Sequence, residues 1–186
     1  MTARTVWRLT APFVVFFVTL SVPACVDTFS ACAERAYAQA AAASQEWQRS
    51  FRDLLVKVRP DLAPLAALEM DHQLALIDRR QARFRFVLRT DAGRVHTRQG
   101  LAAFRNFDWT EADAGVLRQQ SPGYAAIERN VAELERQVRA HSDWPAMRDY
   151  VRTTLSANLQ FQDLLKRSQE RERGIEPVLR TCQPGA

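Results

Sequence analysis

Glycine is scarce in this chain, six residues in 186, and nowhere do the glycines cluster into the kind of loop whose backbone cradles a phosphate. With only eight prolines besides, the chain is not collagen-like, low-complexity or disordered, and hydrophobic residues make up 47% of it against 25% charged. Cysteine is rarer still. Cys25, Cys32 and Cys182 form no CxxC pair, and no Cys/His spacing suggests haem attachment, a zinc site or a redox centre. Lysine is nearly missing: of 26 basic residues only Lys57 and Lys166 are lysine, a bias for which a GC-rich coding sequence is the simplest account. No apolar run reaches the roughly 20 residues that a membrane-spanning helix needs.

What is present begins with an address. Residues 1–10 hold Arg4 and Arg8 and no acid, residues 11–22 (APFVVFFVTLSV) are almost wholly apolar, and Val22-Pro23-Ala24 sets small residues three and one before Cys25. This is the three-part pattern of a secretory signal peptide over residues 1–24. Val and Ala at those positions suit ordinary signal peptidase. Val-x-Ala-Cys also resembles the lipobox of bacterial lipoproteins, from which Pro23 departs, and that resemblance implies a diacylglycerol on the Cys25 thiol. Cysteine arithmetic favours the lipid: acylating Cys25 leaves Cys32 and Cys182 as a pair, and an exported protein meets a compartment that forms disulfides. Without Arg4 and Arg8 the formal net charge of +5 falls to +3, too mild to imply a nucleic-acid partner.

From residue 25 to 186 the chain reads as one all-α domain, a bundle or array of five to six helices in hairpins. A long hairpin is expected over about 28–90, capped by Asp27 or Thr28 and broken at Arg59-Pro60-Asp61. A loop then covers 91–109, helical hairpins cover 110–173, and a tail beginning at Gly174 and Pro177 covers 174–186. In the first helix Tyr37, Ala40, Ser44, Trp47, Phe51, Leu54 and Val58 follow three-four spacing. The second is apolar on two faces, Leu74, Ile77, Phe84 and Leu88 on one and Leu65, Leu68, His72 and Leu76 on the other, which places it mid-bundle. Residues 83–98 are the ambiguous stretch: Phe84, Phe86 and Leu88 alternate and Asp91-Ala92-Gly93 can turn, so a short β-hairpin competes with helix to about Thr90. Thr110 with Asp113 reads as a capping box, and Ser121-Pro122 opens a helix with Tyr124, Ile127, Val131, Leu134 and Val138 at heptad spacing. Trp47, Trp109 and Trp144 are followed by similar apolar offsets, a weak internal repeat in which each Trp is expected to be mostly buried at a helix-pair contact.

Chemistry is thin. Glu69-Met70-Asp71-His72 contains one Glu-x-x-His, half of what a di-metal helical bundle uses, and no second copy exists, so Glu69 and His72 are the only starting point for a metal site. Neither His96 nor His141 has a Ser or Cys nucleophile at a recognisable spacing. No catalytic residue and no cofactor is expected. Charge is more informative: residues 79–105 carry eight arginines against one acid, Asp91, and Arg79, Arg83, Arg85, Arg89, Arg94, Arg98 and Arg105 form a candidate patch for an anionic partner. Either Glu128, Glu133 and Glu135 neutralise it within the fold, or it faces anionic lipid or an acidic envelope protein, with Phe86 or Phe104 adding apolar contact. The expectation is therefore an exported cell-envelope protein, lipid-anchored in the periplasm through Cys25, acting as a non-catalytic binding or scaffolding module. The alternative is a periplasmic enzyme or metal-binding bundle using Glu69 and His72.

Overall fold

The computed structural model describes residues 29–105 and 107–182, so the expected signal peptide over 1–24, Cys25 and the expected caps Asp27 and Thr28 lie outside the described residues. Those residues form seven α-helices: α1 (Phe29–Val58), α2 (Ala63–Thr90), α3 (Ala102–Arg105), α4 (Glu111–Gln120), α5 (Pro122–Ala140), α6 (Trp144–Thr153) and α7 (Leu159–Thr181), with short 3-10 turns between them. No strand occurs among the described residues. The hairpin alternative for 83–98 is thus corrected. The alternation of Phe84, Phe86 and Leu88 sits in helix, and all three are buried with Val87 because this end of α2 is covered on several sides.

Local chemistry explains most boundaries. Arg59, extended ahead of Pro60, cannot continue α1, and Pro64 occupies the first turn of α2, where a missing N–H costs nothing. Thr110 and Asp113 form the reciprocal capping box that starts α4, and Ser121 accepts from the Tyr124 amide to start α5. Asn158 accepts from the amides of Gln160 and Phe161 at the start of α7. The expected tail from Gly174 onward is the clearest departure, since α7 runs through Gly174 and Pro177 to Thr181. Pro177 is solvent-exposed, so the carbonyl it leaves unpaired one turn back can be hydrated. Ile175 and Leu179, on the inner side, are buried and hold the helix in place.

The long helices lie in the order α7, α1, α2, α5, each packed on the next. Antiparallel pairing of α1 and α7 follows from their contacts: Lys57 reaches Gln160 at 3.4 Å, Arg171 pairs with Glu46, and Cys32 is bonded to Cys182 with Cα atoms 5.6 Å apart. The paired half-cystines expected from the odd cysteine count are therefore joined, across 150 residues. Beside that bond Thr97 donates its hydroxyl to the Cys182 carbonyl at 3.0 Å. Gly100, at φ 63°, brings the same loop against Glu176, and its backbone conformation suits only glycine.

Two apolar clusters fill the interior. The larger centres on Tyr37 stacked on Phe84 at 4.2 Å, with Phe104 edge-on to both, and takes in Leu117, Tyr124 and Leu179. Alanines at 33, 36 and 41 let α1 approach this aromatic group closely. The smaller joins Leu54, Leu55, Leu62 and Leu65 to Met147 and Leu155, so α6 closes the turn between α1 and α2. Trp47, Trp109 and Trp144 are each only partly buried, and their settings differ: mid-helix in α1, in the loop before α4, and at the first position of α6. The similar offsets following them are not an architectural repeat, because equivalent tryptophans would sit at equivalent places in a helix pair.

Apart from Cys182, α7 and its end contribute only Ile175 and Leu179 as fully buried side chains, so the disulfide carries much of its attachment. Replacing both Cys32 and Cys182 with Ser is expected to lower the unfolding free energy by about 2–5 kcal/mol, the range for a native bond closing a long loop. Urea titration with and without reductant measures it, and hydrogen exchange should show α7 amides opening well before those of α2. A change under about 1 kcal/mol would mean that α7 is held by packing alone.

Candidate functional site

The arginine segment maps onto the outer half of α2 and the loop after it, and the structure divides it. Arg83 is fully engaged: Nε donates to the Tyr124 hydroxyl at 2.8 Å, Nη2 to Glu128 at 3.4 Å, and the guanidinium lies over the Trp109 ring, 5.0 Å from its centroid. Tyr124 donates onward to Glu128 at 2.7 Å, and Arg118 reaches the other Glu128 oxygen at 2.6 Å. Burial alone would push the Glu128 carboxyl up, but the donors from Arg118, Tyr124 and Arg83 outweigh it and its pKa falls below the usual carboxylate value. Arg94 clasps Asp113 through both terminal nitrogens, at 3.1 and 2.6 Å, and also bonds the Asp108 carbonyl. Arg85 pairs with Glu34 at 2.7 Å on an exposed face, where such a pair contributes little.

The remaining arginines differ. Arg89 donates only to the Arg85 carbonyl one turn back, and Arg79, Arg80 and Arg98 have no carboxylate within ion-pairing distance among the described residues. The side chain of Arg105 lies outside the described residues. Arg79 is half-buried, and burial followed by repulsion from Arg83 pulls its pKa below the normal arginine value, although Glu128 and Glu135 oppose this from α5. Of the acids expected to neutralise the segment, Glu128 does so, whereas Glu133 and Glu135 turn to Arg136 and Arg139 on their own helix. Phe86 and Phe104 are 5% and 4% exposed, so neither can offer apolar contact to a partner as expected.

Glu69 and His72 do come together. Glu69 Oε2 lies 3.6 Å from His72 Nδ1, both atoms are buried without a hydrogen-bond partner, and Glu69 Oε1 accepts from Gln73 at 2.8 Å. A metal needs more: among the described residues no group of three or more His, Cys, Asp or Glu is placed to hold an ion. His96 lies 3.8 Å from Asp108, and His141, at the C-terminal cap position of α5, accepts from the Asp143 amide at 3.3 Å.

One feature escaped sequence reasoning altogether. A groove of about 450 Å³ runs between α1 and α7, floored by Trp47 and Leu54 and walled by charged side chains of both signs. Trp47 stacks on Phe51 at 5.9 Å and meets the Phe161 edge at 6.0 Å. Four of its charges pair with one another, Arg171 with Glu46 across the groove and Arg167 with Asp163 at 3.1 Å, while Asp53 pairs with Arg52 and Lys57 reaches Gln160. Only the register of α7 on α1 creates it, and no local motif encodes that register.

Compared with protein-family models, with curated proteins and with solved structures, the chain matches none of them. The site therefore stands on its own geometry.

Within that geometry the Arg94–Asp113 pair ties the loop after α2 to the start of α4. Asp113→Ala should cost about 2 kcal/mol, since it removes the capping box and strands a partly buried guanidinium. Arg94, then burial acting in opposition, then Thr110 set the Asp113 carboxyl well below the ordinary range, while in the unfolded chain it titrates near about 4. A lowered folded-state pKa stabilises fully above the unfolded value and is lost as pH falls below it. The advantage of the natural chain over Asp113→Asn should thus be full at pH 7 and shrink steadily below about pH 4, as read from urea midpoints across that range.

Proposed function

We propose that this chain is an exported bacterial cell-envelope protein, tethered through a lipid on Cys25, that works as a non-catalytic binding or scaffolding module. The observation that carries the reading is the Cys32–Cys182 bond. A disulfide spanning nearly all of the described chain belongs to an oxidising compartment, and it uses two of the three cysteines. Cys25 is then the odd thiol, directly after an apolar run and Val22-Pro23-Ala24, where acylation would employ it. No helix of the described residues is long and apolar enough to cross a membrane.

The first partner under this reading is the membrane itself, through the lipid. The second is an acidic envelope protein or an anionic lipid surface, met by the arginines of α2 and its following loop that lack an internal carboxylate. Nucleic acid is not among them. The competing reading, an enzyme or metal-binding bundle, draws support from the two unpartnered atoms of Glu69 and His72. Metal analysis of the purified chain, natural and His72→Gln, separates the two: bound metal that disappears in the variant favours the second.

Export and acylation are tested by intact mass of the full chain extracted from envelope membranes. The expected product starts at Cys25 and carries lipid mass, and Cys25→Ser should release the protein from the membrane fraction. A chain beginning at Cys25 without added lipid would refute the anchor and keep the export. A chain retaining residues 1–24 in the cytoplasm would refute both.

A further inference from the structure

Leu76, Arg79, Arg80 and Arg83 recur at the three-four spacing that puts them on one face of α2, and Phe107 and Trp109 of the following loop come up against that face. Together these six side chains line a cleft of about 210 Å³. Its lining combines three arginine side chains with two aromatic residues and a leucine. The geometry points to a binding site for a phosphate-bearing ligand, its phosphate held by Arg79 and Arg80 with Arg83 beside them and its apolar portion resting on Phe107 and Trp109.

The division of labour among the arginines selects the ligand. Arg83 keeps Nε and one terminal nitrogen for Tyr124 and Glu128 and is braced by Trp109, so it acts as a fixed wall. Arg79 and Arg80 have no carboxylate within ion-pairing distance among the described residues. A half-buried guanidinium beside another cation is an expensive arrangement unless something anionic completes it, and Arg79 is displaced in that direction by burial and by Arg83. The acids of α5 that act on Arg79 are committed elsewhere: Glu128 is shared with Arg118 and Tyr124, and Glu135 is paired with Arg139. A carboxylate carries a single negative charge on two coplanar oxygens. A phosphate presents more acceptor oxygens, arranged tetrahedrally, and can take two forks from different directions. By contrast, the larger groove between α1 and α7 has three acids against three bases, and both of its arginines are paired with a carboxylate, so it has less demand for a counter-ion.

This site rests on the reading of the protein as a binding module, and on neither export nor the lipid. The phosphate could belong to a membrane headgroup or to a soluble organic phosphate, and the test includes both. Calorimetric titration of the full chain in non-ionic detergent with phenyl phosphate should show saturable binding. Arg79→Gln with Arg80→Gln should weaken it by about tenfold or more, as expected for losing charge-assisted bonds to an anion. Arg136→Gln with Arg152→Gln, exposed on α5 and α6 and outside the cleft, should leave it unchanged, as should replacing Cys25 by Ser. Phenol, which lacks the anion, should not bind. Unfolding midpoints of both double variants confirm that each remains folded, and Arg79→Lys gives a second, charge-conserving measurement, expected to weaken binding less than the double variant does. In the second arm, vesicles of phosphatidylglycerol that displace phenyl phosphate, and lose this ability with the Arg79 and Arg80 changes, identify a headgroup as the source. Vesicles that leave the bound phenyl phosphate in place identify a soluble phosphate. No saturable binding of phenyl phosphate, or equal losses in the two double variants, would overturn the site, the latter by showing a diffuse surface charge. Failure of the membrane-fraction experiment on Cys25 would leave every one of these readings standing.

Discussion

Helix α2 must be covered on opposite sides at once, and most of the structure is organised by that requirement. Phe84, stacked on Tyr37 of α1, and Phe86, edge-on to Trp109, are both buried on opposite faces and cannot share one neighbour, so α1 packs along one side and α5, with α4 at one end, along the other. Burying one such large side chain is worth roughly 1.5–3 kcal/mol, and the stack of Tyr37, Phe84 and Phe104 concentrates that gain where α1, α2 and the short α3 meet. An isolated helix of this composition would have no reason to be stable in water. It persists because both flanking layers exist.

The same requirement explains where the arginines are. A helix enclosed on two sides has little free surface, so its charged positions fall along the seams between layers. Arg83 reaches across the seam to α5, Arg85 across the other to α1, and Arg94 closes the loop onto α4. A row that looks like a uniform basic patch along the sequence is therefore interrupted by internal partners. Arg79 and Arg80 remain where the seam opens beneath the loop carrying Phe107 and Trp109, and that is why one cleft, rather than the whole segment, is short of negative charge.

Much of the fold was legible in advance, for identifiable physical reasons. The break at Arg59-Pro60, the caps at Thr110 and Ser121, the two-faced character of the second helix and the pairing of Cys32 with Cys182 all rest on local stereochemistry, simple periodicity or counting. The alternation at Phe84 to Leu88 was ambiguous because complete burial removes the polar positions that tell a helix from a strand. Gly174 and Pro177 misled because stop signals are weak preferences that buried neighbours and a nearby covalent bond override. The candidate site was legible only as a charge excess. Which arginines keep an internal partner depends on Glu34, Glu128 and Asp113, each on a different element, and Phe107 and Trp109 join the cleft through a loop without periodicity.

The near-absence of lysine takes on a different meaning at these seams. Coding composition is enough to explain arginine on open helix faces, where Arg136, Arg152 and Arg167 pair with acids three or four residues away and a lysine would serve about as well. It is not enough at Arg83. That one guanidinium donates edge-on to a phenol and a carboxylate while its flat face covers an indole, and a lysine ammonium has neither the fork nor the face. Arg94 is held likewise, by two carboxylate oxygens and a backbone carbonyl at once. At these positions the identity of the base, and not only its charge, determines whether the loop after α2 is fixed. Without that fixed loop Phe107 and Trp109, which line the cleft with Arg79 and Arg80, would have no defined position.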